Sequence, residues 1–161
     1  METPMLLAAS SGDDLVSSKS ILMQKLAKLP AFGRIAIIDD SDMDAQRLMA
    51  TLYLLIGREV VISCYRSVAV ALDRTRRDKP DLIFLDDLIP PLDRAESSIR
   101  SLLRFGVDAP VVVMSGQLTR ARRTELKRLN PLGILDKDEI NTFAVGEVLL
   151  RLVPDQGGAD T

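Results

Sequence analysis

The chain has 161 residues, 47% hydrophobic and 27% charged, so it can bury the core of one globular domain and is too apolar to be disordered. Its 21 basic and 23 acidic residues nearly cancel, which gives no overall attraction to nucleic acid or a membrane surface. Histidine is absent, and this excludes His-based metal sites, Ser-His-Asp and Cys-His triads, and a phosphohistidine within the chain. The sequence has no basic signal region and no apolar run of membrane length, and its one cysteine cannot form an internal disulfide, so we expect a soluble, cytoplasmic protein.

Residues 1–31 form an N-terminal extension with one amphipathic helix. A helix from about Asp13 to Pro30 places four leucines on one face: Leu15, Leu22, Leu26 and Leu29. Such a stripe usually packs against the domain that follows it. The sevenfold spacing of three of these leucines also suits a helix pair, as in a homodimer or a partner complex, and two heptads do not decide between the alternatives.

The rest of the chain alternates strands with helices. Strands are predicted at residues 34–38, 59–65, 82–85, 110–115 and 132–135, and helices follow them at 42–56, 67–78, 94–105, 119–129 and 141–152. This alternation predicts an α/β fold with a doubly wound, five-stranded parallel sheet, which we assign to residues 32–153. Residues 154–161 are predicted to be a flexible tail. Cys64, on the second strand, is expected to be a small buried side chain.

Polar residues stand where the predicted strands end. In a parallel sheet these ends share one edge, and ligands bind there. The residues at this edge are Asp39, Asp40, Asp86, Asp87, Ser115, Asp136 and Lys137. The first two taken alone could be helix caps, Ser115 a strand-end hydroxyl and Lys137 a solvated lysine, but their convergence favours a functional site.

The residue types at this edge indicate phosphate chemistry. Clustered carboxylates repel one another unless a cation neutralises them, and Mg²⁺ is the hard cation that suits a few carboxylates, a carbonyl and phosphate oxygens. A lysine and a hydroxyl suit the remaining oxygens of a phosphoryl group. The combination predicts phosphoryl transfer to a carboxylate, which depends on positioning and charge and needs no histidine in this chain.

Other classes fit the sequence less well. Neither a G-x-G-x-x-G nor a G-x-x-x-x-G-K-[ST] motif occurs, which disfavours dinucleotide enzymes and P-loop NTPases. A phosphatase of the haloacid dehalogenase type would need aspartate two residues after its nucleophile, where Leu88 stands.

Four elements in order resemble the receiver domain of two-component response regulators, over roughly residues 34–153. They are the Asp pair after the first strand, hydrophobic-Leu-Asp with proline four residues on after the third, serine after the fourth and lysine after the fifth. The resemblance implies a flavodoxin-like (βα)5 fold. It also implies that Asp86 accepts a phosphoryl group from a phosphohistidine of a sensor histidine kinase or histidine phosphotransfer protein. Such a domain is a regulatory phosphoacceptor and not an enzyme, since it promotes only its own phosphorylation and dephosphorylation.

The resemblance also implies roles for the other site residues. Mg²⁺ would be bound by Asp40 directly, by Asp39 mostly through water, by Asp86, and by the backbone carbonyl of Leu88. Further roles are implied at the ends of the fourth and fifth strands: Lys137 would pair with the phosphoryl oxygens, and Ser115 would move toward them as the switch.

The chain departs from the family pattern near the site. Asp138 follows the lysine where the family usually has proline, Ile134 stands where an aromatic residue is usual, and Arg94 replaces a common glycine. The pair Pro90-Pro91 stiffens a loop that normally moves. Asp87 adds a carboxylate, which we expect to point away from the pocket because strand neighbours alternate faces.

The resemblance implies an output through protein contacts. In receivers a common partner surface is the face built here by residues 119–129, 132–135 and 141–152. Its first helix has one acid, Glu125, against five bases, Arg120, Arg122, Arg123, Lys127 and Arg128. We expect a solvated basic face that could meet an acidic protein surface; nucleic acid is a less favoured partner and no membrane partner is expected. The alternative function is a phosphorylation-independent adaptor or kinase inhibitor with the same fold.

Overall fold

The computed structural model of the protein describes residues 10–89 and 93–154. Its helices are α1 (Ser10–Leu26), α2 (Asp42–Ile56), α3 (Val68–Thr75), α4 (Ala95–Arg104), α5 (Arg120–Lys127) and α6 (Thr142–Leu150), with a 3-10 turn at Lys137–Glu139. Its strands are β1 (Arg34–Ile38), β2 (Val61–Tyr65), β3 (Leu82–Asp86), β4 (Leu88–Ile89), β5 (Asp93–Arg94), β6 (Val111–Ser115) and β7 (Gly133–Asp136). The expected tail and the Pro90-Pro91 pair lie outside the described residues. No helix in the described part of the chain is both long and apolar enough to cross a membrane.

Five strands form one parallel sheet in the order β2-β1-β3-β6-β7. This is the doubly wound α/β architecture that the sequence predicted. The structure adds a short antiparallel ladder that was not predicted, in which Leu88 pairs with Arg94 and Ile89 with Asp93. This ladder of β4 and β5 directly follows β3 and places Leu88 beside the end of that strand.

Successive side chains of a strand point to opposite sides of the sheet, and the central strands are buried on both sides. Ile35 and Ile37 of β1 pack in a cluster with α1, α2 and α6, whereas Ala36 and Ile38 pack with α3, α4 and α5. All five residues of β3 are buried. Two helical layers therefore cover the sheet and leave its carboxyl edge for the site.

The edge strand β2 corrects the expectation for Cys64, which is exposed. This strand pairs with β1 alone, and its burial pattern is mixed, with Val61 also exposed. Its apolar run resembles that of a central strand, but its position at the edge gives its side chains fewer neighbours.

Helix α1 packs against the rest of the α/β fold through its leucine stripe. Leu22 and Leu26 are 7% and 5% exposed and belong to the same core cluster as α2 and α6. A Cβ at Gly146 would lie 3.0 Å from a methyl carbon of Leu22, so this glycine lets α1 approach α6 closely. Of the two alternatives for these leucines, the structure shows packing against the rest of the chain. Leu29 is partly buried against the cluster, and the side chain of Leu15 lies outside those described.

Replacing Leu22 with alanine is expected to destabilise the protein by about 2–5 kcal/mol, because it leaves a cavity between α1 and α6. The matched control is Ile21→Ala, since Ile21 is the preceding residue of the same helix and is 51% exposed. Chemical denaturation measures both free energies of unfolding. Equal effects of the two substitutions would contradict the docking of α1.

Candidate functional site

The carboxyl ends of four parallel strands bring the predicted site residues together. Asp39 follows β1, Asp86 ends β3, Ser115 ends β6, and Lys137 begins the 3-10 turn after β7. Asp39, Asp86 and Ser115 are 2%, 5% and 4% exposed. The site is therefore a polar cluster at the end of the core, with each residue at the end of a strand or directly after it.

Lys137 is the cation of this cluster. Its Nζ lies 2.8 Å from Oδ2 of Asp39, 3.2 Å from Oδ2 of Asp86 and 3.2 Å from Oδ2 of Asp44. Burial alone would lower the pKa of Lys137, but the close contact with Asp39 and the charges of both buried carboxylates outweigh burial and raise it. The ammonium stays protonated and offsets part of the negative charge at the edge.

Three carboxylates at this edge could share one metal ion. Asp39, Asp40 and Asp86 each place an oxygen within 4.8 Å of the others. Oδ1 of Asp39 accepts a hydrogen bond from the Ser41 amide at 2.9 Å, and its buried Oδ2 faces the ammonium of Lys137 at 2.8 Å. Carboxylates this close repel one another unless a cation neutralises them, and an all-oxygen set suits Mg²⁺. The chemistry of this donor set fits the predicted metal.

Burial raises the pKa of Asp86 from its ordinary 3.8 to about 7; the charge of Asp39 adds to the rise, and Lys137 opposes it. Because this pKa is higher in the folded than in the unfolded state, the resulting stability is full below the unfolded pKa and is lost as the pH rises through the folded one. A bound divalent cation would compete with the proton of Asp86 and supply the missing neutralising charge.

Saturating Mg²⁺ is therefore expected to raise the Tm more at about pH 8 than at about pH 5, where the proton already neutralises Asp86. Thermal unfolding with and without Mg²⁺ at both pH values measures the difference. In Asp86→Asn the difference between the two pH values should shrink. An Mg²⁺ effect in wild type that does not change with pH would refute this link.

Ser115 and Leu88 lie in a cavity beside Asp86. The cavity has a volume of about 440 Å³, and it is lined by Asp44, Asp86, Asp87, Leu88, Arg94, Ser115, Gly116, Gln117, Arg122 and Lys137. Oγ of Ser115 accepts a hydrogen bond from the Gln117 amide at 3.3 Å. The side chain of Leu88 is 57% exposed at the mouth of the cavity. The metal role of the Leu88 carbonyl and the switching role of Ser115 stay predictions.

Asp44 is a site residue that the sequence reasoning missed. It lies in the first turn of α2, and its amide donates to Oγ of the N-cap Ser41 at 3.3 Å. The spacing Ser41-x-x-Asp44 resembles a capping box, and this signal places the carboxylate at the start of α2, beside the end of β1. Asp44 is thus positioned by the local helix start to reach Lys137.

Arg122 corrects the expectation of a wholly solvated basic helix face. It is 9% exposed, and its guanidinium donates five hydrogen bonds to the carboxylates of Asp87, Glu96 and Glu125. Contrary to the expectation that it points away from the pocket, Asp87 lines the same cavity as Asp86, and it accepts from Nε of Arg122 at 2.9 Å. A signal was present in the sequence: Arg122 stands four residues before the buried Leu126, so it lies on the inward side of α5.

Local contacts accommodate two of the departures from the family pattern. The Asp138 amide donates to Oδ1 of Asp136 at 2.9 Å, so an aspartate cap starts the turn that follows β7 and carries Lys137. Ile134 is partly buried and packs against the core cluster that contains α3, α4 and α5. The position usually taken by a mobile ring is here a packed aliphatic side chain.

Solved structures share this architecture. The BeF3-activated N-terminal receiver domain of Klebsiella pneumoniae RstA matches with a TM-score of 0.63 and 18% identity, over 76% of this chain and 100% of that one. RcsB from Salmonella enterica serovar Typhimurium, solved bound to promoter rprA with phosphomimetic BeF3-, matches with a TM-score of 0.65 and 16% identity, over 74% and 98%. A Burkholderia pseudomallei response regulator, solved with a phosphorylated aspartic acid, calcium ion and citrate, matches with a TM-score of 0.60 and 21% identity, over 73% and 66%.

No protein-family model and no curated protein sequence matches the chain significantly. The similarity is therefore one of fold, at identities of 16–21% for these structures. The chain has the response-regulator receiver fold that its motifs predicted.

Proposed function

We propose that the protein is a two-component response-regulator receiver that accepts a phosphoryl group on Asp86. The observation that carries this proposal is the contact of one partly buried lysine, Lys137, with Asp39 and Asp86 at the carboxyl edge of the sheet. Phosphoryl transfer needs an accessible nucleophile and a fixed positive charge for the phosphoryl oxygens. Asp86 lines an open cavity and Lys137 supplies that charge.

In the proposed reaction, an oxygen of Asp86 attacks phosphorus while the P–N bond of a phosphohistidine breaks and the imidazole leaves. Lys137 exchanges its contact with Asp86 for the phosphoryl oxygens, and the Ser115 hydroxyl donates to them. Asp39, Asp40 and Asp86, with the carbonyl of Leu88, would hold Mg²⁺. When bound, Mg²⁺ would neutralise the carboxylates and the negative charge of the phosphoryl group.

The proposed role is regulatory, with phosphorylation altering contacts with other proteins. The donor would be a sensor histidine kinase or a histidine phosphotransfer protein in the cytoplasm. The downstream partner would bind the face of α5, β7 and α6, which carries the exposed cations Arg120, Arg123, Lys127, Arg128 and Arg151. We assign residues 32–153 to the receiver domain and residues 1–31 to its extension; homodimer formation stays a prediction.

Intact mass spectrometry after incubation with Mg²⁺ and acetyl phosphate tests the proposal. Wild type is expected to gain one phosphoryl group and Asp86→Asn none. Asp108→Asn is a matched control, because it changes a carboxylate outside the site and should leave the gain intact. A wild type that gains no phosphoryl group, yet still binds its partner, would favour the adaptor function instead.

A further inference from the structure

The guanidinium of Arg122 joins three separate elements. Its Nε and Nη2 donate to the carboxylate of Asp87, next to the acceptor. Nη1 and Nη2 also donate to Glu96 in the first turn of α4, at 2.8 Å for Nη2 to Oε2, and Nη1 donates to Glu125 on α5 at 2.8 Å. All five N–H groups of the arginine are engaged, so the end of β3, the start of α4 and the middle of α5 share one hydrogen-bonded cluster.

The pair of Arg122 and Asp87 within this cluster is buried enough to resist being broken. The side chains of Arg122 and Asp87 are each 10% exposed. The hydrogen bonds from Arg122 lower the pKa of Glu96, and those to Asp87 and Glu96 raise the pKa of Arg122, so both groups stay charged. Separating a buried bidentate pair leaves two uncompensated charges, whereas moving the pair together leaves its bonds intact. We therefore expect Asp87 and Arg122 to move together.

Asp87 is directly attached to the acceptor. It follows Asp86 in the chain, and its amide donates to the carbonyl of Met114 on β6 at 2.7 Å. A change at Asp86 that shifts this backbone must also shift the carboxylate of Asp87. The aromatic position that could otherwise relay such a change is the packed Ile134.

We propose that Arg122 is the positioning residue through which the state of Asp86 reaches α5, and that it acts by holding Asp87. This inference rests on the proposed function, because it concerns the regulation of the same site. Arg123 and Lys127 are exposed on the same helix, and Arg128 is exposed at its C-cap. A displacement of Arg122 therefore reorients the basic surface offered to a partner.

Amide chemical shifts of α5, recorded with Mg²⁺ and with Mg²⁺ plus beryllofluoride, test the inference in the full chain. In wild type we expect beryllofluoride to shift the α5 amides. In Arg122→Gln and Asp87→Asn, beryllofluoride should still shift the amides around Asp86, while the α5 response is lost. The double variant should lose no more than either single variant, because both remove one connection.

Two further variants separate this role from a merely structural one. Arg122→Lys keeps the charge but cannot form the two-pronged bond, so it should also lose the α5 response. Arg123→Gln changes an exposed neighbour and should keep it. If Arg122→Gln does not fold, the double variant, which replaces the ion pair by two neutral amides, provides the same test.

The outcomes distinguish the inference from the proposed function. If beryllofluoride shifts the α5 amides of folded Arg122→Gln, or of the double variant, as much as in wild type, the inference is overturned. Phosphorylation of Asp86 is not affected by that outcome. If wild type neither gains a phosphoryl group nor binds beryllofluoride, the proposed function fails. The inference is then tested by the shifts that Mg²⁺ alone produces in the α5 amides. The inference is overturned if neither probe alters α5 in wild type.

Discussion

Replacing Lys137 with alanine is expected to slow phosphoryl uptake from acetyl phosphate by about 100-fold or more, the cost of removing one fixed donor to a developing charge. The partly buried Lys137 lies 3.2 Å from Asp86, so its ammonium is already in place when the phosphoryl group arrives. Asp39 and Asp86 would also lose their counter-charge and repel the incoming phosphate. Initial rates from intact mass at fixed Mg²⁺ measure the effect.

The exposed Lys127 provides the control, because Lys127→Ala removes the same charge from the surface of α5. We expect its rate to stay close to wild type. The Tm of Lys137→Ala should be measured in parallel, so that a folded variant is compared. A rate within a few-fold of wild type in folded Lys137→Ala would remove Lys137 from the proposed reaction.

Asp87→Ala is expected to destabilise the protein by about 3–5 kcal/mol, because it leaves the buried guanidinium of Arg122 without its bidentate partner. Asp73→Ala is the comparison. Asp73 pairs with Arg77 at 3.8 Å on the surface, where both side chains are about two-thirds or more exposed. Such exposed pairs contribute about 0–1 kcal/mol. Denaturant unfolding gives both free energies.

The double variant Asp87→Leu/Arg122→Met distinguishes the loss of a pair from the loss of packing. Replacing both charges by apolar groups removes the uncompensated ion, so the double variant should be more stable than Asp87→Ala. If the losses of stability in Asp87→Leu and Arg122→Met add up to that of the double variant, the buried pair is not the source of the destabilisation.

The sheet and its acidic edge were predictable because local patterns determine them. A short apolar run that ends in aspartate, as at β3, reveals both the strand and the residue at its end. The polar residues after these runs converge because parallel strands share one edge. Lys137 was predicted for the same reason.

The partners of charged side chains were less predictable, because they depend on contacts between distant parts of the chain. Asp87 and Arg122 are 35 positions apart, and five basic residues of the same helix look alike in the sequence. Cys64 shows a related limit. Its strand has the apolar content of a core strand, but only the order of strands makes it an edge.

The leucine stripe of α1 also had two interpretations, of which sequence favoured docking but did not decide. Its spacing suits packing against a second helix, whether that helix belongs to the same chain or to another molecule. The choice depends on Gly146, whose missing side chain leaves the space that Leu22 fills on α6.

This contact ties the N-terminal extension to folding cooperativity. Leu22 and Leu26 share a continuous apolar cluster with Val145 and Leu149 of α6, and that cluster extends to the sheet. A chain shortened to begin at residue 32 would leave this surface of α6 open to water and to self-association. Helix α1 is therefore part of the unit that unfolds as one, and it also limits which surfaces of α6 another protein can reach.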